Sequence, residues 1–131
     1  MPNPQIEEFA QILVRHVRDA AVQSNDLRLR PDVDHIISRR WREAARTGQL
    51  DEIANVLIPD IVDDTMYYLF RAIDEGLLQL SFTDSKGKTV NLSTEGLGEL
   101  GGWYAGEWCL KYTKERVFDN FPKLPYSPDQ S

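Results

Sequence analysis

The stretch GLLQLSFTDSKGKTVNL, residues 76–92, separates a helical part of the chain from an extended part. Its apolar residues alternate with polar ones on both sides of a turn; they are Leu78, Leu80, Phe82, Val90 and Leu92. Alternation with a period of two is typical of strands, and the segment DSKG between them is rich in turn-forming residues. The stretch therefore predicts a β-hairpin. Because two strands alone are marginally stable in water, the apolar face of this hairpin should pack on helices.

The residues before the hairpin repeat their apolar side chains at intervals of three and four, which predicts helices. The predicted helices span residues 5–23, 32–47 and 51–75. Pro59 interrupts the third. Since proline lacks an N–H and clashes with the preceding turn, we predict two segments that meet at Ile58. The fold class predicted is α+β, mostly α, with three to four helices packed with one hairpin.

The acids Asp60, Asp63 and Asp64 crowd the start of the second of these two segments. Asp60 and Asp64 are four residues apart and share one face of a helix. Paired carboxylates can bind Mg²⁺ or perform acid–base chemistry. The simpler interpretation, which we favour, is that acids collect at a helix N-terminus because the helix dipole stabilises them there.

Residues after the hairpin predict a Gly- and aromatic-rich loop at 93–102 and a short helix at 103–112. Thr113 is a candidate N-cap for a last turn that ends near Phe121. Residues 122–131 contain three prolines and predict a flexible C-terminal tail. The single globular domain is therefore predicted to span residues 1–121.

The segment GLGELG, residues 96–101, matches the G-x-G-x-x-G pattern of dinucleotide-binding loops. Its context does not fit, because no room remains for a βαβ unit and the strand before it belongs to a hairpin. The flanking acids Glu95, Glu99 and Glu107 would also repel a phosphate. We interpret these glycines as structural, either adopting positive φ or allowing close approach under Trp103 and Trp108. We predict no cofactor.

Charge and composition exclude several classes of protein. The net charge is −6, and residues 51–131 hold seven basic and fourteen acidic side chains. This excess of acids argues against nucleic-acid binding. No apolar run approaches the eighteen or so residues of a membrane span, which argues against a membrane protein. With Cys109 as the only cysteine, no internal disulfide is expected, and we predict a cytoplasmic location.

The placement and spacing of the two histidines and the cysteine predict neither a metal site nor a catalytic group. His16 lies on the apolar stripe of the first helix, where a part-buried, satisfied histidine is expected. His35 has acidic neighbours in DVDHII, which should raise its pKa. Cys109 stands between Trp108 and Leu110, as a buried structural thiol does. We therefore favour a protein without enzymatic activity.

The function favoured by these features is binding of a protein partner, one form of which is an immunity-like inhibitor of a basic toxin or nuclease. Acidic surfaces steer association with basic partners, and Trp and Tyr are common interface anchors. The predicted interaction surface consists of Glu99, Trp103, Tyr104, Glu107 and Trp108, together with Asp60 and Asp64.

Two alternatives remain open. The first is a small-molecule-binding protein or enzyme, whose cleft between hairpin and helices would be lined by Glu99, Glu107, Trp103 and Tyr104. The second is a structural domain that self-associates as a homodimer through the hairpin edge near Phe82 and Val90. In its order of helices, hairpin and the segments ELGGWY and YTKERVFDNF, the chain resembles small bacterial proteins. That resemblance implies no function, and no residue is assigned a role from it.

Overall fold

The computed structural model describes residues 3–118 and confirms an α+β fold that is mostly helical, with one antiparallel hairpin and a short C-terminal helix. Its helical segments are α1 (Pro4–Ile12), π1 (Leu13–Arg18), α2 (Asp19–Arg28), α3 (Ile36–Ala45), α4 (Leu50–Asp74), α5 (Leu92–Glu95), α6 (Leu100–Trp103), π2 (Tyr104–Trp108) and α7 (Cys109–Tyr112). The strands are β1 (Ser81–Thr83) and β2 (Thr89–Asn91). Here π1 and π2 are π-helical turns, and α1, π1 and α2 follow one another without a break.

Local side-chain capping marks the starts of α1 and α3. The side chain of Asn3 accepts a hydrogen bond from the Ile6 N–H over 2.9 Å and caps α1. Helix α3 begins at Ile36, later than predicted, because the ring nitrogen Nδ1 of His35 accepts from the Ile37 N–H over 3.1 Å. The prediction that His16 is part-buried is wrong, because His16 lies exposed on the N-terminal helix.

Helix α4 runs through Pro59 without interruption, so the prediction of two segments meeting at Ile58 is wrong. Proline removes the N–H that would bond to the carbonyl of Asn55, four residues back. That carbonyl instead accepts from Nε of Arg116 over 2.8 Å. A side chain from the end of the described chain thus replaces the missing backbone donor. As α4 begins at Leu50, the dipole explanation for the acids at 60–64 is also wrong, because they lie in mid-helix.

The predicted hairpin is confirmed, although its strands are only three residues long. Phe82 pairs with Val90 in the antiparallel register. Leu78, just before β1, is buried in the core, whereas the side chain of Phe82 is 56% exposed. The apolar face therefore packs on the helices near its base and leaves its tip in solvent.

The glycine-rich stretch is largely helical rather than a loop, because α5 and α6 lie within it. Gly98 adopts a positive φ of 70°. A Cβ at Gly96 would lie 2.5 Å from the carbonyl oxygen of Leu92, and one at Gly101 would lie 3.1 Å from the Tyr67 ring. Both glycines therefore permit close approach, as predicted, but to α5 and α4 rather than beneath the tryptophans.

Two amides of this stretch, those of Leu100 and Gly101, donate to the carboxylate of Asp74 on α4, each over 3.0 Å. They are the N–H groups at the start of α6. Free N–H groups at the start of a helix can bind an anion. The Asp74 carboxylate occupies that position, so these amides are engaged within the protein.

The hydrophobic core lies where π1, the end of α4, the hairpin base and α6 meet. Its fully buried members are Val17, Ala72, Ile73, Leu78 and Leu100. Beyond α7, residues 113–118 are not helical, and the Thr113 hydroxyl accepts from the Glu115 N–H over 3.1 Å. The predicted helical turn after Thr113 is therefore wrong over these residues. Its expected end near Phe121, and the predicted tail at 122–131, lie outside the described residues.

Candidate functional site

A cavity of about 240 Å³ lies between α2, the start of α3, α4 and the π2–α7 run. Charged, aromatic and apolar side chains line it, among them Arg28, His35, Asp63, Tyr67, Tyr104 and Phe118. It lies between helices, whereas the cleft predicted from the sequence lies between the hairpin and the helices. The polar groups of the cavity converge from all four of these elements.

One face of α4 supplies most of the cavity's polar side chains. Residues three and four apart lie on the same side of a helix, so Asp60, Asp63 or Asp64, and Tyr67 or Tyr68 follow one another along this face. All five line the cavity. Each of the three carboxylates has a different set of partners.

Asp60 is 1% exposed and is fully paired. Its Oδ1 accepts from Nη2 of Arg40 over 2.7 Å, and its Oδ2 from Nε of Arg40 over 3.0 Å. The indole N–H of Trp41 also donates to Oδ2 over 2.9 Å. Such a bidentate, charge-assisted pair satisfies the buried carboxylate and ties α3 to α4. Asp60 is therefore not on an exposed acidic surface, contrary to the prediction.

Asp64 is also buried, with 8% of its surface exposed. Nη2 of Arg28 lies 3.1 Å from its Oδ1, and Nδ2 of Asn25 donates to its Oδ2 over 3.3 Å. This pair joins α2 to α4 at the cavity wall. The placement of Asp64 on an exposed surface is accordingly wrong as well.

Asp63 differs from its neighbours because no cation pairs with it among residues 3–118. Its Oδ1 accepts from the Tyr104 hydroxyl over 2.7 Å and from the Cys109 thiol over 3.4 Å. Both donors are neutral. Asp63, Tyr104 and Cys109 also line a second, shallower groove on the other side, so this cluster forms the wall between the two.

The π-helical turn π2 places Tyr104 and Cys109 on the same carboxylate. In an α-helix, residues five apart point about 140° away from each other. Here the Cys109 N–H bonds to the carbonyl of Tyr104, five residues back, which widens the turn. The two side chains consequently point the same way, towards Asp63. Single π-turns of this kind are frequent at functional sites.

Burial and the carboxylate keep both donors protonated. Burial is the main reason that the pKa of Tyr104 lies well above the ordinary 10.0, and the hydrogen bond to Asp63 adds to it. Burial likewise raises the pKa of Cys109 above 9.0, and the charge of Asp63 raises it further, against an opposing hydrogen bond with Tyr104. Cys109 is therefore a hydrogen-bond donor rather than a thiolate nucleophile at neutral pH.

His35 is neutral at the other side of the cavity. Partial burial lowers its pKa, and the positive charges of Arg28 and Arg40 lower it further. The expectation that acidic neighbours raise this pKa is wrong, because burial and the arginines together outweigh the charge of Asp64. Since Nδ1 accepts from Ile37, the proton of the neutral ring is on Nε2, which can donate a hydrogen bond.

The structure divides the predicted interaction surface. Three of its residues line the cavity, namely Tyr104, Asp60 and Asp64. Trp103 and Trp108 are half-buried and pack against the hydrophobic core, with their ring centroids 5.8 Å apart. Glu99 and Glu107 are exposed and do not line the cavity; Glu107 lies 3.7 Å from Nζ of Lys111.

Sequence reasoning does not single out Arg28, His35 or Tyr67 as site residues. Tyr67 and Tyr68 continue the face that begins at Asp60, so the helical spacing contains a signal for them. Arg28 gives no such signal, because it meets Asp64 from a helix 36 residues earlier in the chain.

Within residues 3–118, no group of three or more His, Cys, Asp or Glu side chains is arranged to hold a metal ion. None of the described helices is both long and apolar enough to cross a membrane.

Comparisons of this chain with protein-family models, with curated proteins and with solved structures give no match.

Proposed function

We propose that this protein binds a small organic molecule in the cavity beside Asp63. The observation that carries the proposal is a carboxylate whose only partners within residues 3–118 are the neutral donors Tyr104 and Cys109. It lies in a concave site of about 240 Å³ lined with aromatic rings. Small-molecule sites are typically concave and largely apolar, with a few polar groups that orient the ligand. This cavity is smaller than the roughly 300–1,000 Å³ of drug-sized sites, which favours a small metabolite.

The proposal is that the protein binds this molecule without catalysing a reaction on it. Cys109, the one cysteine of the chain, is protonated and donates to a carboxylate, which disfavours a nucleophilic role. His35 uses Nδ1 to cap α3, so no carboxylate of residues 3–118 binds this nitrogen to hold the ring in the orientation of a general base. We further propose that the protein acts in the cytoplasm, where a free thiol such as Cys109 persists.

Filling the cavity tests this proposal. Ala105 lines the cavity, so Ala105→Phe should occupy it, while Ala10→Phe on the exposed side of α1 is the matched control. We expect members of a chemically broad fragment library to shift the NMR resonances of Tyr67 and Tyr104 in the wild-type protein and the control. They should not do so in Ala105→Phe. The proposal fails if no fragment shifts these resonances, or if Ala105→Phe binds as the wild type does.

Protein binding is a second candidate, favoured by an exposed apolar strip on α4. Ile58, Ile61 and Val62 are 51%, 38% and 54% exposed, and Ile61 shares a shallow groove with Val22 of α2. Exposed apolar strips of this kind often mark interaction sites. The proposed partner is a basic protein, because the chain has a net charge of −6 and Glu99 and Glu107 are exposed.

The strip can be tested with Ile61→Glu, with Leu50→Glu as a control at an apolar position that is 81% exposed. Loss of a basic partner with Ile61→Glu alone would support the second candidate, and equal retention in both variants would contradict it. Light scattering of the protein alone at two concentrations separates this from self-association, because without a partner a change of mass with concentration requires association between copies of the chain.

A further inference from the structure

We infer that the ligand of this cavity is an organic cation, whose ammonium group binds the carboxylate of Asp63. This inference rests on the proposed function, because it assigns a chemical class to the molecule that occupies the same cavity. The juxtaposition that supports it is one carboxylate, that of Asp63, which has no cationic partner within residues 3–118 and lies beside the tyrosine rings of positions 67 and 104.

In the part of the chain that the structure describes, one of the three carboxylates at the cavity has no ion-pair partner. Asp60 is paired with Arg40 and Asp64 with Arg28, so two of the three carboxylates are neutralised. Asp63 has no ion pair in the described part of the chain. A charge in a partly desolvated site is most stable when an opposite charge meets it, which a cationic ligand supplies.

The carboxylate of Asp63 also has unused capacity to accept hydrogen bonds. An ionised carboxylate has two oxygens with about four acceptor sites. Tyr104 and Cys109 both donate to Oδ1, and within residues 3–118 no hydrogen bond reaches Oδ2. Oδ2 is therefore available to an ammonium N–H, and hydrogen bonds between two charged groups are roughly twice as strong as neutral ones.

Aromatic rings around this carboxylate suit a cation. Tyr67, Tyr68, Tyr104 and Phe118 line the cavity. Two of these rings already contact guanidinium groups, since Arg71 lies 5.9 Å from the ring centroid of Tyr68 and Arg40 lies 5.0 Å from that of Phe118. Among the described residues no cation lies over the rings of Tyr67 and Tyr104, each of which packs on one neighbouring ring. The face of a tyrosine ring attracts cations.

An anionic ligand fits these groups poorly. Arg28 is already bound to Asp64, and His35 is held neutral by burial and by the arginines beside it. An anion would have to displace the Arg28–Asp64 pair or approach Asp63 against its charge, and close like charges are strongly unfavourable.

Three probes of one shape separate the alternatives. They are 2-phenylethylammonium, neutral 2-phenylethanol and anionic 3-phenylpropionate, titrated into the full chain and followed by NMR and calorimetry. We expect the ammonium to bind about tenfold to a hundredfold more tightly than the alcohol, as expected for a charge-assisted hydrogen bond. The carboxylate should bind more weakly than either.

Asp63→Asn tests the residue itself, because the amide oxygen can still accept from Tyr104. We expect this variant to lose about tenfold or more in affinity for the ammonium and to bind the alcohol unchanged. Glu107→Gln removes an exposed carboxylate outside the cavity and should bind all three probes as the wild type does. Tyr104→Phe, which keeps the charge of Asp63, should retain the preference for the ammonium.

The outcomes distinguish the two proposals. Equal binding of the ammonium and the alcohol, or an unchanged ammonium affinity in Asp63→Asn, overturns the assignment of a cation and leaves a small-molecule site. Tighter binding of 3-phenylpropionate overturns it too. Absence of binding by all three probes at Tyr67 and Tyr104 contradicts both the cation assignment and the proposed function.

Discussion

The hydroxyl of Tyr104 donates to Oδ1 of Asp63 over 2.7 Å. This hydrogen bond joins two residues that are 41 positions apart in the sequence and lie on different helical segments. This contact connects π2 to α4 and forms the wall of the cavity. It also explains how the Asp63 carboxylate is held in place although no cation of residues 3–118 pairs with it. Its consequences for titration, reactivity and stability can be measured separately.

Alkaline pH should destabilise the fold through Tyr104 and Cys109. In the unfolded chain these groups lose their protons near the ordinary values of 10.0 and 9.0, whereas in the fold their pKa values are raised. The folded state therefore binds more protons over this range, so the free energy of unfolding falls as the pH rises above about 9. Urea unfolding between pH 7 and 10.5 measures this loss.

Tyr104→Phe removes one of these groups and should lose less stability over the same interval than the wild type. The control is Tyr112→Phe, because Tyr112 is 67% exposed. If the wild type and Tyr104→Phe lose stability in parallel, the raised pKa of Tyr104 does not contribute.

Cys109 should react slowly with iodoacetamide at pH 8. The thiolate is the reactive form, and burial together with the charge of Asp63 raises the pKa of this thiol. Asp63→Asn removes the charge and should accelerate alkylation, with the rate followed by mass spectrometry. A rate in Asp63→Asn that equals the wild-type rate would show that Asp63 does not hold the thiol protonated.

Asp60 contributes to stability rather than to ligand binding. Asp60→Ala leaves the partly buried guanidinium of Arg40 without this carboxylate and removes the acceptor of the Trp41 indole N–H. Removing one partner of a buried ion pair costs about 3–5 kcal/mol of unfolding free energy. Chemical denaturation measures this loss.

The control for Asp60 is Glu43→Ala, which breaks a pair with Arg46 whose side chains are both more than two-thirds exposed. Its unfolding free energy should stay close to that of the wild type, since exposed ion pairs contribute little. Similar losses in the two variants would contradict the structural role assigned to Asp60.

Two glycines of the same stretch should respond in opposite ways to alanine. A Cβ at Gly96 would lie 2.5 Å from the backbone oxygen of Leu92, whereas one at Gly106 meets nothing within 4 Å. Gly96→Ala should therefore destabilise the fold. Gly106→Ala lies in a helical turn and should be neutral or stabilise it by up to about 1 kcal/mol. Thermal unfolding compares them, and equal effects would show that close packing at Gly96 is not required.

The features of the fold that the sequence predicts are local ones. The hairpin follows from alternation and a turn within 76–92, and the helices follow from apolar spacing. At Pro59 the carbonyl of Asn55 in α4 accepts a hydrogen bond from Arg116, which lies 61 residues away in the sequence. No window of sequence around Pro59 contains that information, so proline rules predict a break.

The candidate site is predictable only in part for the same reason. Asp60, Asp64 and Tyr104 are recognised from the sequence, and all three line the cavity. The sequence does not distinguish Asp63 from the two acids beside it, because the distinction lies in distant partners: Arg40 for Asp60, Arg28 for Asp64 and neutral donors for Asp63. Glu99 and Glu107 are acidic and near in sequence, but they face solvent away from this cavity.

The most direct test of the central claim is to locate bound 2-phenylethylammonium by intermolecular NMR contacts in the wild-type protein and in Asp63→Asn. We predict contacts from the methylene next to the ammonium group to the rings of Tyr67 and Tyr104 in the wild type, and their loss in Asp63→Asn at the same probe concentration. Contacts that persist unchanged in Asp63→Asn, or that map to residues outside the cavity, would contradict the claim that Asp63 holds an organic cation there.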